Sequence, residues 1–271
     1  MTGGVDVYEK TPLSVVDGIP VFSTPDDYVD NYVRISADHL HSLKSEGRNP
    51  FIPEEIWMEA EGSTRDLVEK YSGKDARILD VGVGLGRLLS PMDGCRKYGM
   101  DISLEYLKVA RDKGIEVCLS RIEDMPYRKE SFDVVVCTDV LEHVVDLNLC
   151  CGRILSVLKK GGILVARVPY REDLGSYLDP GYPYRYAHLR SFDEHSLRIL
   201  FEKIFPCRFL EWTTAGYRED RTRLRYRLPA GEGILMRLVS LARLGGESCY
   251  RKTLRKAFFP IEFNAVIRKE A

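Results

Sequence analysis

The 271-residue sequence has almost no net charge, with 40 Lys and Arg set against 41 Asp and Glu for a formal balance of -1. That balance supplies no overall field to draw the chain to nucleic acid. No run of about 18 apolar residues occurs, so no segment reads as a membrane-spanning helix. The opening residues Met1 to Lys10 have neither the charged nor the apolar region of an export signal. Cysteine is present seven times, at 95, 118, 137, 150, 151, 207 and 249, but never as C-x-x-C, and the odd count argues against a disulfide framework. These absences lead to the expectation of a cytoplasmic protein.

The charge that is present is unevenly placed. From Trp212 onward 13 Lys and Arg face 6 Asp and Glu, a local excess that offers a meeting point for something anionic.

The most informative stretch is Arg77 to Leu88, where Ile78 and Leu79 run into Asp80 and glycine then recurs at Gly82, Gly84 and Gly86. An apolar run followed by a glycine-rich turn is how a parallel strand delivers backbone to a cofactor at its carboxyl end. The dinucleotide fingerprint G-x-G-x-x-G laid on Gly82 and Gly84 requires glycine at 87, and Arg87 stands there. The phosphate-loop pattern fails as well, because no Gly-Lys-Ser/Thr follows.

Around this stretch apolar runs and amphipathic segments alternate. Strands are expected at about 77–81, 96–101, 115–119, 132–137, 162–168, 206–213 and 261–268, and helices at about 87–93, 103–113, 147–159 and 192–204. Ser103 and Asp146 serve as N-caps, and Ser191 with Glu194 reads as a capping box. A further helix begins near Pro53 and ends before Gly73. The expected fold is α/β: a doubly wound, Rossmann-like, mostly parallel seven-stranded sheet with helices on both faces. Residues 1–52, polar and punctuated by Pro12, Pro20 and Pro25, read as an N-terminal arm or lid. Residues 53–271 form the main domain, with a basic amphipathic insertion at about 214–258 before the last strand. The insertion carries Arg221, Arg223, Arg225 and Arg227, then Ile234, Leu235, Leu238 and Leu241 flanked by Arg237 and Arg243. Such a segment suits its own domain, a second copy in a homodimer, or an anionic membrane surface.

Asp101 ends the second strand, 21 residues after Asp80, where a carboxylate can accept from both ribose hydroxyls of a nucleoside. The series Asp-x-Gly-x-Gly-x-Gly at 80–86, Asp101, Arg121 to Tyr127 before Phe132 to Val136, and Leu141-Glu142-His143-Val144 resembles the class I S-adenosylmethionine-dependent methyltransferases, in particular methyltransferase domain type 11. The resemblance covers about residues 55–213 and the last strand, and its strength lies in several motifs occurring in order. It implies an enzyme that takes S-adenosylmethionine as cofactor through Asp80, Gly82, Val83, Gly84, Gly86, Asp101, Ile102, Ile122, Glu123 and Thr138. Arg121 departs from the pattern, since the family commonly has an acidic residue there for the adenine amine. The piece Val15 to Phe22 resembles the last strand of a zinc ribbon that precedes some methyltransferases, but with no cysteine before Cys95 it is metal-free.

His143 is a candidate general base, because an unperturbed histidine titrates near neutrality. Tyr170, just past the fifth strand, is a second candidate catalytic residue. No metal is expected, since Glu142 and His143 are fewer than the three protein ligands of a catalytic zinc. The long loop from Tyr170 to Arg190 is rich in tyrosine, and Tyr182, Tyr184, His188 and Arg190 are the candidate substrate residues. The expected acceptor is a small molecule, with a glycan or lipid-linked metabolite in view and nucleic acid disfavoured. Methyl transfer to RNA or protein, and a noncatalytic cofactor-binding partner protein, are the rival readings.

Overall fold

The computed structural model describes residues 7–225 and 232–270. A nine-stranded sheet runs through the molecule in the order β1-β2-β5-β4-β3-β6-β7-β9-β8. Its central strands are β3 (Arg77–Val81), β4 (Arg96–Asp101), β5 (Glu116–Leu119), β6 (Phe132–Thr138) and β7 (Leu158–Pro169), all paired in parallel. At one edge β9 (Glu262–Lys269) runs antiparallel between β7 and β8 (Cys207–Ala215).

The central strands are buried on both faces, so they read as continuous apolar runs. Successive side chains nevertheless go to opposite sides. Leu79, Val135, Cys137, Leu164 and Ala166 join one core, and their neighbours Ile78, Val134, Val136, Ile163 and Val165 join the other. Helices α4 (Leu147–Val157) and α5 (Glu194–Ile199) cover the first core through Cys151, Ile154 and Leu197. Helices α2 (Glu54–Tyr71) and α3 (Leu104–Asp112) cover the second through Leu67, Val68, Leu107 and Ala110. Asp146 and Ser103 cap α4 and α3 by accepting from the backbone N–H groups of Leu149 and Tyr106.

Four expectations are corrected. The sheet has nine strands instead of seven, because β1 (Ser14–Val16) and β2 (Ile19–Val21) form a hairpin that adds to the edge of β5. Its two-residue turn puts Asp17 and Gly18 at φ 51° and 79°, the left-handed pair that matches strand twist. The arm also contains a 20-residue helix, α1 (Asp27–Glu46), started by Asp26 accepting from Val29 N and stopped by Gly47 at φ 66°. The helix expected at 87–93 is a run of turns. One bond, Ser90 N to Gly86 O at 3.0 Å, closes a single turn before Pro91 ends it. At α5 the N-cap is Asp193, boxed with Ser196, and not Ser191.

The insertion contains α6 (Glu232–Ala242) and α7 (Glu247–Ala257), which share a small core of Val239, Leu254, Ala257 and Phe258. Arg227 and the side chain of Ile234 lie outside the described residues. No described helix is long and apolar enough to cross a membrane.

Candidate functional site

A cavity of about 750 Å³ lies beyond the carboxyl ends of β3, β4, β6 and β7, roofed by α1, the start of α2 and the 170–190 loop. It has two ends of different chemistry.

At the first end the glycine loop is strapped to β4, with Gly82 N and Val83 N donating to Met100 O at 2.8 and 3.0 Å. Gly82 has φ 81°, and a Cβ there would fall 2.4 Å from Val140 Cγ2, so only glycine lets the turn pass. Asp101 Oδ2 accepts from Gly84 N at 2.9 Å, and Oδ1 accepts from Ser103 N at 2.8 Å. One carboxylate thus ties the loop to the start of α3 and keeps lone pairs toward the cavity. Asp80 is only 2% exposed, and its Oδ1 has no partner among the described residues. Burial pushes its pKa up to about 7 against the pull of Arg167, with Asp101 adding to the rise. An unmatched buried carboxylate beside an open backbone cradle is complementary to a ligand bearing a cationic group.

Arg87 stacks over Trp57, its guanidinium carbon 3.9 Å from the ring centre, and pairs with Glu54 and Glu61. It clamps α2 over the loop in the place where a dinucleotide site would need glycine. Arg121 pairs with Asp26 and, at 3.2 Å, with Glu123, while lying 5.2 Å from the ring centre of Tyr28. The side chain that departs from the expected pattern therefore holds the arm against the loop that follows β5. Ile122 is buried beside it.

The second end is a cluster of ionisable groups. His143 Nδ1 is 2.9 Å from Tyr32 Oη, and the rings of His143 and His188 lie 4.5 Å apart. His188 Nδ1 contacts Glu172 Oε2, and Tyr177 donates to the other Glu172 oxygen at 2.8 Å. Glu142 is buried with neither carboxylate oxygen partnered among the described residues, and burial followed by Asp139 holds it well above the usual carboxylate range. Burial and then His188 press His143 down to about 3. His143 is therefore a neutral imidazole and, alone, a weaker base than an unperturbed histidine. Buried Arg167 on β7 pairs with Asp139 at 2.6 Å and with Thr64 at 3.2 Å, fixing the loop that carries Glu142.

Of the residues expected from the sequence to bind cofactor, Asp80, Gly82, Val83, Gly84, Asp101, Ile102, Ile122, Glu123 and Thr138 line the cavity, around its glycine-loop end. His143, Tyr182, Tyr184 and His188 line the other. Three do not line it. Gly86, at φ 68°, faces α3, where an added Cβ would come within 2.7 Å of Ile115 and 3.1 Å of Ala110. Tyr170 stacks on Phe263 at 5.7 Å, because its ring continues the apolar face of the sheet edge, and it is not placed for catalysis. Arg190 donates to the Leu141 and Val145 carbonyls at 2.9 and 3.2 Å and also bonds the Val144 carbonyl, so it braces the loop and is not placed to touch substrate. Sequence reading placed Tyr32 only within the arm or lid, and gave Arg167 and Glu172 no role. Their only signals are a polar arm, a charged residue inside a buried strand and an acid in a loop.

The parallel sheet, the glycine turn and the carboxylates ending β3 and β4 define a Rossmann-like nucleoside-cofactor protein. Residues 79–166 match the model of the methyltransferase domain family. That stretch, about a third of the chain, is thus similar to the methyltransferase domains whose methyl donor is S-adenosylmethionine. A ubiquinone biosynthesis O-methyltransferase of Bradyrhizobium is 38% identical over 97 residues, which is 33% of this chain and 38% of that protein. A tRNA (carboxymethyluridine(34)-5-O)-methyltransferase of Arabidopsis thaliana is 34% identical over 94 residues, 34% of this chain and 23% of that protein. The chain spans 46%, 38% and 61% of the length of the first three curated relatives it matches. Among solved structures, an S-adenosylmethionine-dependent methyltransferase of Thermotoga maritima, described as a possible histamine N-methyltransferase, superposes with a TM-score of 0.55 over 90% of this chain and all of that one. At 19% identity that likeness is one of fold.

The residues present fit the cofactor. Asp101 stands where a ribose would be held, and the unpartnered oxygen of Asp80 suits the ammonium of the amino acid end.

Proposed function

We propose that the protein transfers the methyl group of S-adenosylmethionine to a hydroxyl of a small-molecule acceptor, glycan-bearing or lipid-linked. The observation that carries this reading is the continuity of one cavity from the carboxylates ending β3 and β4 to the cluster of Glu142, His143 and His188. The bound cofactor supplies a methyl already activated on a sulfonium. What the protein must add is position, which corresponds to effective molarities of roughly 10⁵ to 10⁸ M. Tyr177, Tyr182 and Tyr184 wall the acceptor end with stacking surface and hydroxyls. As the new C–O bond forms and the C–S bond breaks, the hydroxyl proton passes to the carboxylate of Glu172, which lines the same end of the cavity beside His188. General-base help of this kind contributes about 10² to 10⁴ fold.

The arm acts as a lid in this reading. Asn31 of α1 exchanges two bonds with the Tyr186 backbone, at 2.9 and 3.1 Å, and Tyr184 donates to Asp38 at 2.8 Å. The arm and the aromatic loop are thereby joined over the cavity, which would exclude water from the reacting atoms. The O-methyltransferase names among the relatives support an oxygen acceptor.

The test is incubation of the full chain with methyl-labelled S-adenosylmethionine and fractionated cell extract. Label should enter the small-molecule or lipid fraction. Label confined to RNA or protein would overturn the acceptor class, and cofactor binding without label anywhere would overturn transfer.

A further inference from the structure

Glu142 and His143 are two ligands short of a tetrahedral metal site when read from the sequence, and folding changes the count. His188, 45 positions further on, is brought by the aromatic loop to the same point. One ligand atom from each of Glu142, His143 and His188 lies within 4.8 Å of the other two. Around an ion bound at about 2.1 Å, tetrahedral ligands stand about 3.4 Å apart, so side-chain movements of about 1 Å close the set.

Three observations beyond proximity point to a cation. The first concerns the imidazoles, whose Nδ1 atoms are both occupied. His143 Nδ1 meets Tyr32 Oη at 2.9 Å, and His188 Nδ1 meets the Glu172 carboxylate. An outer partner on one ring nitrogen, carboxylate above all, is the arrangement that orients a metal-bound histidine and presents the other nitrogen to the ion. The second concerns Glu142, which is 1% exposed and has no hydrogen-bond partner on either oxygen among the described residues. His143 Nε2 lies 3.9 Å from Glu142 Oε1. A buried carboxylate with both oxygens unmatched is costly unless a positive charge or a proton meets it. The third is position, because all three residues line the cavity, so a coordination place remains open toward the acceptor.

We propose that Glu142, His143 and His188 form a binding site for one divalent transition-metal cation, with Tyr32 and Glu172 as its positioning residues. Two imidazoles and one carboxylate suit zinc, cobalt or manganese better than magnesium, which asks for oxygen ligands in octahedral geometry. The open position faces the space where an acceptor oxygen lies in the proposed reaction. The inference rests on that end of the cavity being the acceptor end, though the binding itself does not require transfer.

The test is calorimetric titration of untagged, chelator-treated full chain with Zn²⁺, repeated with Co²⁺ while its visible absorption is followed. Binding of S-adenosylhomocysteine is measured in parallel. The wild type should take up about one ion per chain, with a Co²⁺ spectrum of tetrahedral or five-coordinate type. Glu142→Gln and His188→Ala should each weaken binding by more than tenfold, and Glu172→Gln by about tenfold or more, with S-adenosylhomocysteine affinity retained. Should His188→Ala lose both ligands, His188→Gln replaces it. Failure of the wild type to bind at millimolar metal, or binding unchanged in both Glu142→Gln and the His188 variant, overturns the site. A wild type that binds S-adenosylhomocysteine but no metal sinks this inference alone, whereas a wild type that fails to bind S-adenosylhomocysteine sinks the functional reading.

Discussion

Replacing Asp80 by Asn removes a buried charge while keeping the shape, and the structure sets the size and direction of the effect. The carboxyl is 2% exposed, and its pKa is pushed from an ordinary 3.8 up to about 7. The gap corresponds to about 4 kcal/mol by which the ligand-free site disfavours the carboxylate. The folded state holds this proton where the unfolded chain has released it, so stability of the ligand-free protein falls as pH rises from about 4 to about 7. The penalty is absent below the unfolded pKa and complete above the folded one. At pH 8 the ligand-free Asp80→Asn protein should therefore be more stable than wild type, by up to about 4 kcal/mol. Cofactor binding should show the opposite preference, because an ammonium group selects ionised Asp80. Wild-type affinity should rise about tenfold per pH unit below 7 and level off above it, until the ammonium itself deprotonates near pH 8. In the Asn variant affinity should be lower at pH 7.5 and nearly flat from pH 5.5 to 7.5. Calorimetry with S-adenosylhomocysteine at several pH values, beside thermal melts without ligand, measures both effects. Equal affinities of the two proteins at pH 7.5, with no pH dependence in the wild type, would refute the assignment of Asp80 to the cationic end.

Asp101→Ala should lose the ribose contact and the strap to Gly84 N together, lowering nucleoside affinity by about 3 to 6 kcal/mol if each charged hydrogen bond contributes about 1.5 to 3; unchanged affinity in calorimetry would remove that role. Gly82→Ala meets Val140 at 2.4 Å in a left-handed backbone, and denaturant unfolding should show a loss of about 2 kcal/mol or more. Asn31→Ala breaks two bonds between α1 and the aromatic loop. It should raise KM for the acceptor more than for the cofactor, whereas equal changes would argue against a lid that closes on the acceptor. Tyr170→Phe keeps the ring against Phe263 and should leave turnover within about twofold, because the hydroxyl is not among the groups facing the acceptor; a large fall in turnover would restore a catalytic role.

What could be read from the residues, and what could not, divides along physical lines. The strands from Arg77 onward announce themselves because burial on both faces demands unbroken apolar runs, and the glycine turn and Asp101 follow from how closely backbone must approach a nucleoside. The β1–β2 hairpin escaped because three-residue strands containing Pro20 carry little pattern of their own and exist through pairing with β5. Helix α1 escaped because its surface is polar, although Asp26 and Gly47 mark both its ends. Gly86 belongs to the motif yet serves helix packing, a distinction set by the approach of Ala110 and Ile115 from elsewhere in the chain. His188 was read as a substrate residue from its aromatic surroundings. Its meeting with His143 depends on a loop folding back over 45 positions, and no local spacing encodes that. Arg167 shows the same limit, being a charge inside an apolar strand whose purpose appears only once Asp139 stands beside it.

The central claim is that the cavity at the ends of β3 and β4 holds S-adenosylmethionine. Calorimetric titration of the full chain with S-adenosylmethionine tests it most directly. One site per chain, competed by S-adenosylhomocysteine and lost in Asp101→Ala, is the predicted result. Absence of binding at millimolar cofactor by a folded protein would contradict it.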